Sequence, residues 1–133
     1  MSSLVADTHS VIWYLNQSPR LSTTARTALR TAIETGEPVF VSAVTIAEVT
    51  YLFEKGRLTE LQIRNLISIL HRQDSGFQVA PFDLAIAETL AQIPRHVVPD
   101  MPDRMIAATA LHLGLPLITA DSQIQRSAVP TIW

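Results

Sequence analysis

The chain has 133 residues, a formal charge of −2 and 47% hydrophobic residues, which is enough apolar material for one buried core. It contains no cysteine, so disulfide frameworks and thiolate-held zinc or iron–sulfur centres are excluded. No apolar run approaches the roughly 18 residues that a membrane span needs, and the first residues carry no basic leader. We therefore expect a single cytoplasmic domain over residues 1–133, with no membrane partner.

Short apolar segments alternate with helical patterns along the chain. In chain order, the sequence predicts a strand at 4–6, helices at 10–16 and 22–36, a strand at 38–41, helices at 43–54 and 59–72, a strand at 77–80, helices at 83–93 and 102–113, a strand at 117–119, a helical turn at 122–127 and an extended segment at 131–133. Because parallel strands need crossover connections, this alternation predicts an α/β protein. We expect a three-layer α/β/α sandwich with a central, mainly parallel sheet.

Four acidic residues stand out by their positions in this pattern. Asp7 closes the first strand, Asp121 follows a late strand, and Asp103 opens the helix between them. Ligands of open parallel sheets bind outside the carboxyl ends of the strands, where these three aspartates are expected. Glu48 lies inside a helix that is apolar nearly all round, where a carboxylate is costly to bury without a positive partner.

Each acid also has a purely structural interpretation. Asp7, Asp100 and Asp121 precede helical patterns and would make good N-caps, and Asp103 follows Asp100 at the spacing of a capping box. Glu48 cannot be a cap, and its structural alternative is a surface ion pair. Capping and metal coordination are compatible, because the start of a helix favours anions.

Four carboxylates gathered at one sheet edge would repel one another unless a cation lay between them. Mg²⁺ and Mn²⁺ prefer oxygen ligands and keep several waters, which suits a few carboxylates together with a substrate phosphate. Such an ion activates water and stabilises a leaving oxygen, so the implied chemistry is phosphodiester hydrolysis. The formal charge gives no sign of a basic face, but the cationic residues are almost all arginine, which suits phosphate contacts.

Four segments of the chain contain these acids, residues 5–8, 42–49, 103–110 and 117–121. Together they resemble the PIN-domain family, specifically the VapC-type toxins of bacterial toxin–antitoxin pairs, and their order and spacing match the family over essentially the whole chain. The resemblance implies a PIN-like sandwich, often homodimeric, that cuts RNA with Mg²⁺ or Mn²⁺ and is blocked by a VapB-type antitoxin. It maps the acidic quartet, as catalytic residues and metal ligands, onto Asp7, Glu48, Asp103 and Asp121.

The resemblance also implies supporting residues. Thr8 and Thr119 match hydroxyl positions that support the pocket by hydrogen bonds. Asp100 matches the first acid of an Asp-Pro-x-Asp-Arg sequence, but the proline is displaced by one place here, which favours N-capping over a role as an extra ligand. Arg104 follows an active-site acid and would either touch phosphate or make a surface ion pair.

Several other side chains keep two interpretations. His9 lies close enough to Asp7 to suggest a metal ligand or an acid–base group, but it has no partnering histidine at metal-ligand spacing, so a packing or solvent-facing role is favoured. Trp13 and Tyr14 could stack on RNA bases or belong to the core or a dimer interface. The apolar stretch from Tyr51 to Leu70 could form a groove for a partner helix or pack in the core.

Competing function classes fit the sequence less well. A response-regulator receiver domain would need an adjacent acidic pair and a late lysine, whereas Asp7 stands alone and Lys55 is the only lysine. A haloacid-dehalogenase-like phosphatase would need Asp-x-Asp in place of the observed Asp7-Thr8-His9. A PIN fold kept only for interaction would normally have lost an acid, and a flap-type DNA nuclease would carry helical modules for which this chain has no room.

Overall fold

The computed structural model describes residues 3–133. Its strands are β1 (Leu4–Ala6), β2 (Val39–Ser42), β3 (Phe77–Ala80), β4 (Leu117–Ile118) and β5 (Thr131–Ile132). Its helices are α1 (Thr8–Leu15), α2 (Thr23–Glu34), α3 (Ala43–Glu54), α4 (Glu60–His71), α5 (Leu84–Thr89), α6 (Met101–Leu113) and α7 (Ser122–Gln125), with a 3₁₀ turn at Leu90–Gln92. The α/β alternation predicted from the sequence is confirmed in chain order.

The strands form one parallel sheet in the order β3-β2-β1-β4-β5. β1 lies at the centre, where Val5 pairs with Phe40 of β2 on one side and with Leu117 of β4 on the other. The chain therefore builds outward from β1 to β3, returns across β1, and builds outward again through β4 to β5. This reversal opens a crevice at the carboxyl ends of β1 and β4.

Helices cover both faces of the sheet, as the sandwich prediction requires. Leu4 and Ala6 of β1 face one buried cluster, to which α1, α2 and α4 contribute, whereas Val5 faces a second cluster formed largely by α5, α6 and α7. The split follows from chirality: right-handed crossovers that run toward opposite edges place their helices on opposite faces. The fully apolar β1 is thus buried on both sides, which is typical of a central parallel strand.

Several predicted helix boundaries differ from the observed ones, and two of these differences have a clear physical reason. No turn separates β1 from α1, because the Asp7 side chain accepts a hydrogen bond from the Ser10 amide and caps a helix that already begins at Thr8. The predicted helix at 83–93 stops being α-helical at Thr89 and tightens into the 3₁₀ turn, which ends at a buried Ile93. None of the helices in residues 3–133 is long and apolar enough to cross a membrane.

Candidate active site

Asp7 lies at the carboxyl end of β1 and is only 8% exposed. Its carboxylate accepts a hydrogen bond of 2.9 Å from the Ser10 amide. Burial raises the pKa of Asp7, and hydrogen bonds from Ser10 and Thr119 partly offset the rise. An ionised carboxylate this deeply buried is costly unless a positive charge meets it.

Asp121 begins α7 beside the end of β4. Its Oδ1 accepts hydrogen bonds of 2.9 Å from the amides of Gln123 and Ile124, which caps the helix. The hydroxyl oxygen of Thr119 accepts the Asp121 amide at 3.0 Å, while the Thr119 side chain also bonds to Asp7. Thr119 therefore ties the two aspartates of neighbouring strands together, and Oδ2 of Asp121 is left for other ligands.

The start of α6 carries Asp100 and Asp103. Asp100 is the N-cap and accepts the Asp103 amide at 3.1 Å, so the predicted capping role of Asp100 is confirmed. Asp103 lies in the first turn, where the helix dipole favours negative charge. Even so, burial above all, and neighbouring carboxylates as well, raise the pKa of Asp103 to about 7. Those neighbours are Asp100, Asp121, Glu48 and Asp7, in decreasing order of effect.

Glu48 lies on α3 and makes no salt bridge within residues 3–133, which disfavours the surface-ion-pair interpretation. Its Oε1 accepts a hydrogen bond of 2.5 Å from the Thr8 hydroxyl. That hydroxyl also contacts the buried Thr45 hydroxyl at 3.0 Å, one turn earlier on α3. Thr8 and Thr45 thus orient the carboxylate.

The four acids predicted from the sequence line a common pocket of about 400 Å³ outside the carboxyl ends of β1 and β4. The residues that line it are Asp7, His9, Trp13, Glu48, Asp100, Asp103, Ala120 and Asp121. They come from four segments of the chain: the end of β1 together with α1, the middle of α3, the start of α6, and the residues between β4 and α7. The result is a concentrated negative charge at the switch point of the sheet.

The donor set of this pocket fits a hard divalent cation. All of its acids offer oxygen ligands, and besides burial it is the neighbouring carboxylates that raise the pKa of Asp103. No three His, Asp or Glu side chains in residues 3–133 are drawn together tightly enough to enclose an ion on their own. Mg²⁺ does not require such a cage, because it keeps several waters and needs few carboxylates.

Arg104 lies outside the pocket lining. Its guanidinium donates from Nε to the Ile93 carbonyl at 3.1 Å and from Nη2 to the Leu90 carbonyl at 2.9 Å. These bonds fasten the 3₁₀ turn to the start of α6, next to Asp103. The geometry therefore indicates a positioning role for Arg104 rather than contact with phosphate or a surface ion pair.

Two contributors to the site were missed by sequence reasoning. Ser10 bonds to the Asp7 carboxylate, and its hydroxyl donates to the Ile118 carbonyl at 3.1 Å, which joins α1 to β4. Thr45 holds Thr8. The only available signal was a polar residue inside an otherwise apolar segment. His9, for which a packing or solvent-facing role was expected, is exposed and lines the pocket.

Comparison with known proteins places this chain in a family. The sequence model of the PIN domain matches residues 4–130. Ribonuclease VapC22 of Mycobacterium tuberculosis is 28% identical over 136 residues, which cover 100% of both proteins. The chain belongs to the PIN-domain family, as the sequence motifs predicted.

Solved structures agree on the fold. VapBC2 from Rickettsia felis, bound to a DNA fragment from its promoter, superimposes with a TM-score of 0.73 at 16% identity over 97% of this chain and 96% of that one. FitAcB from Neisseria gonorrhoeae superimposes with a TM-score of 0.67 at 25% identity, over 96% of this chain and 95% of that one. The predicted PIN-like three-layer sandwich is therefore confirmed.

Proposed function

We propose that this chain is a metal-dependent endoribonuclease that hydrolyses RNA phosphodiester bonds, with its catalytic domain over residues 1–133. The observation that carries the proposal is the shared pocket of Asp7, Glu48, Asp103 and Asp121 at the switch point of the sheet. The full-length similarity to a protein named as a ribonuclease supports it.

In this proposal Asp7, Glu48, Asp103 and Asp121 hold Mg²⁺ or Mn²⁺. When bound, such an ion lowers the pKa of a water molecule and stabilises negative charge on the leaving oxygen. The chain's own contribution is to position oxygen ligands: Thr119 fixes Asp7 and Asp121, and Thr8 fixes Glu48. Asp100 and Arg104 support Asp103. Asp100 caps α6, and Arg104 joins the start of α6 to the 3₁₀ turn through hydrogen bonds to backbone carbonyls.

Two alternative functions predict different results in a cleavage assay. A PIN fold used only for interaction would not require a pocket of carboxylates at the strand ends, and this chain has all four. A flap-type DNA nuclease could use the same metal chemistry, since only contacts to the 2′-hydroxyl distinguish RNA from DNA. Such nucleases use helical modules to grip DNA, whereas the helices of residues 3–133 belong to the sandwich.

A cleavage assay separates these functions. Purified protein is incubated with matched single-stranded RNA and DNA in Mn²⁺, in Mg²⁺ and in EDTA. We expect RNA to be cut in either ion and to survive in EDTA. Cutting of DNA alone would favour the flap-type function, and intact RNA under every metal condition would contradict the ribonuclease proposal.

We further propose that the chain acts in the cytoplasm as the toxin of a VapBC-type pair, that a VapB-type antitoxin blocks it, and that it forms a homodimer. The structural similarity to VapBC2 and to a toxin–antitoxin complex from Klebsiella pneumoniae supports this assignment. Expression of the chain alone should arrest growth, and co-expression of the protein encoded by an adjacent small gene should restore it. Light scattering of the purified chain tests the dimer.

Replacing Thr8 with Val should raise the Mn²⁺ concentration needed for half-maximal cleavage by about 10- to 100-fold, as is typical for the loss of an outer-shell hydrogen bond. Val keeps the shape of Thr but cannot donate to Glu48. The control is Thr8→Ser, which keeps the hydroxyl and should remain close to wild type. An unchanged metal requirement in Thr8→Val would show that Thr8 does not orient a ligand.

A further inference from the structure

A groove of about 670 Å³ continues from the acidic pocket between α1, α3 and α4. The pocket and the groove share His9, Trp13, Glu48 and Asp100, so the two spaces open into each other. Beyond these shared residues the groove is lined by apolar side chains, by the uncharged polar residues Asn16, Ser18 and Gln62, by Tyr51, and by Arg20 and Arg57. An extended substrate that reacts in the acidic pocket can therefore continue into this groove.

Cations accompany the aromatic side chains of this groove. The Arg20 guanidinium lies 5.9 Å from the Trp13 ring, and the Lys55 ammonium lies 5.0 Å from the ring of Tyr51, which is 56% exposed. The His9 ring lies 5.5 Å from Trp13 on the side of the acidic pocket. Aromatic faces therefore stand on both walls of the groove, each beside a positive charge.

Within residues 3–133, the two arginines of the groove have no carboxylate partners. Arg20 and Arg57 are exposed, and the arginine ion pairs found within residues 3–133 are Arg64 with Glu60 and Arg72 with Asp74. An arginine without a partner beside a groove is ready to bind a phosphate with its planar fork. The charge thus changes from negative at the pocket to positive along the groove.

We propose that this groove binds the single-stranded RNA segment flanking the cleaved bond, with a base stacked on Trp13 and backbone phosphates held by Arg20 and Arg57. The inference rests on the proposed ribonuclease function. Aromatic platforms beside backbone-binding cations are the general means of holding single strands. An apolar helix of a protein partner would use the same walls but would leave both arginines without counter-charges, so RNA fits the groove better.

The test measures RNA binding separately from cleavage. A fluorescent single-stranded 12-nucleotide RNA is titrated with full-length protein carrying Asp103→Asn, which blocks cleavage, in Mg²⁺ at several salt concentrations. Adding Arg20→Ala and Arg57→Ala should weaken RNA binding about tenfold or more. The slope of the logarithm of the binding constant against the logarithm of the salt concentration should become less steep by roughly 0.7 for each lost phosphate contact. The matched control is Arg95→Ala with Arg126→Ala, which removes the same charge from exposed positions outside the groove.

Trp13 gives an independent measurement. Trp13→Ala should weaken RNA binding about tenfold, which corresponds to one lost base stack, and Trp13→Phe should largely restore it. If the variant with Arg20→Ala and Arg57→Ala binds RNA with the same affinity and salt dependence as the control variant, the inference is wrong. That result would favour a protein partner as the occupant of the groove. Wild-type protein that fails to cleave RNA contradicts the proposed function instead, so the two failures are distinguishable.

Discussion

Replacing Asp103 with Asn is expected to stabilise the metal-free protein above pH 7 while lowering RNA cleavage by about a hundredfold or more. Burial and four neighbouring carboxylates raise the pKa of Asp103 to about 7, so its ionised form is unfavourable in the folded state. Asn removes that charge and keeps the size of the side chain. In the proposed site it also removes the negative charge of a metal ligand, a loss worth several kcal/mol of transition-state stabilisation.

The stability difference between the two proteins should depend on pH. Between the ordinary pKa of 3.8 and about 7, the folded state of the wild type holds a proton on Asp103 that the unfolded state has released. The free energy of unfolding of the wild type therefore falls as pH rises through this window. The variant has no titrating group at this position, so it does not lose this part of its stability. Thermal unfolding in EDTA should show matching melting temperatures near pH 4 and a gap of several degrees at pH 8.

The control for this experiment is Glu88→Gln, which neutralises an exposed carboxylate on α5. It should change the melting temperature only slightly and should leave cleavage intact. A variant at Asp103 that is less stable than the wild type at pH 8, or that still cleaves normally, would contradict the charged-pocket account.

Replacing Asp7 with Asn should also lower cleavage by at least about a hundredfold, and without unfolding the protein. Asn is as good an N-cap as Asp, so the bond from the Ser10 amide is kept. The loss of activity would then report the loss of a ligand charge. The measurement is the initial rate of RNA cleavage in saturating Mn²⁺, together with circular dichroism to verify the fold.

Asp83 provides the matched control for Asp7. It too is an N-cap aspartate, accepting the Ile86 amide at 3.0 Å at the start of α5, but it lies outside the acidic pocket. Asp83→Asn should therefore cleave RNA at the wild-type rate. If both variants lost activity equally, helix capping rather than metal binding would explain the effect.

The fold was largely predictable because local and long-range signals agree in this chain. The β1 segment is apolar throughout, since it is buried on both faces, and the charged residue Asp7 marks its end. The order of the strands in the sheet was not predicted, because periodicity does not report which strands pair. The start of α1 was misplaced because Asp7 serves at once as strand end, helix cap and pocket residue.

The acidic pocket was predictable from position, but its support was not. Aspartates after parallel strands must meet at one sheet edge, and Glu48 stood out as a carboxylate on an apolar helix. The hydroxyl contacts between Thr8 and Thr45, and the bonds from Arg104 to two carbonyls, depend on side-chain geometry across distant segments. The groove with Arg20 and Arg57 likewise arises only when α1, α3 and α4 are packed together.

Titration of the metal-free protein with Mn²⁺, followed by electron paramagnetic resonance, tests the central idea that the acids form one cation site. We expect the wild type and Asp83→Asn to bind the ion equally well. Each of Asp7→Asn, Glu48→Gln, Asp103→Asn and Asp121→Asn should weaken binding at least about tenfold. Wild-type protein that binds no Mn²⁺, or four variants that bind it as the wild type does, would contradict the account.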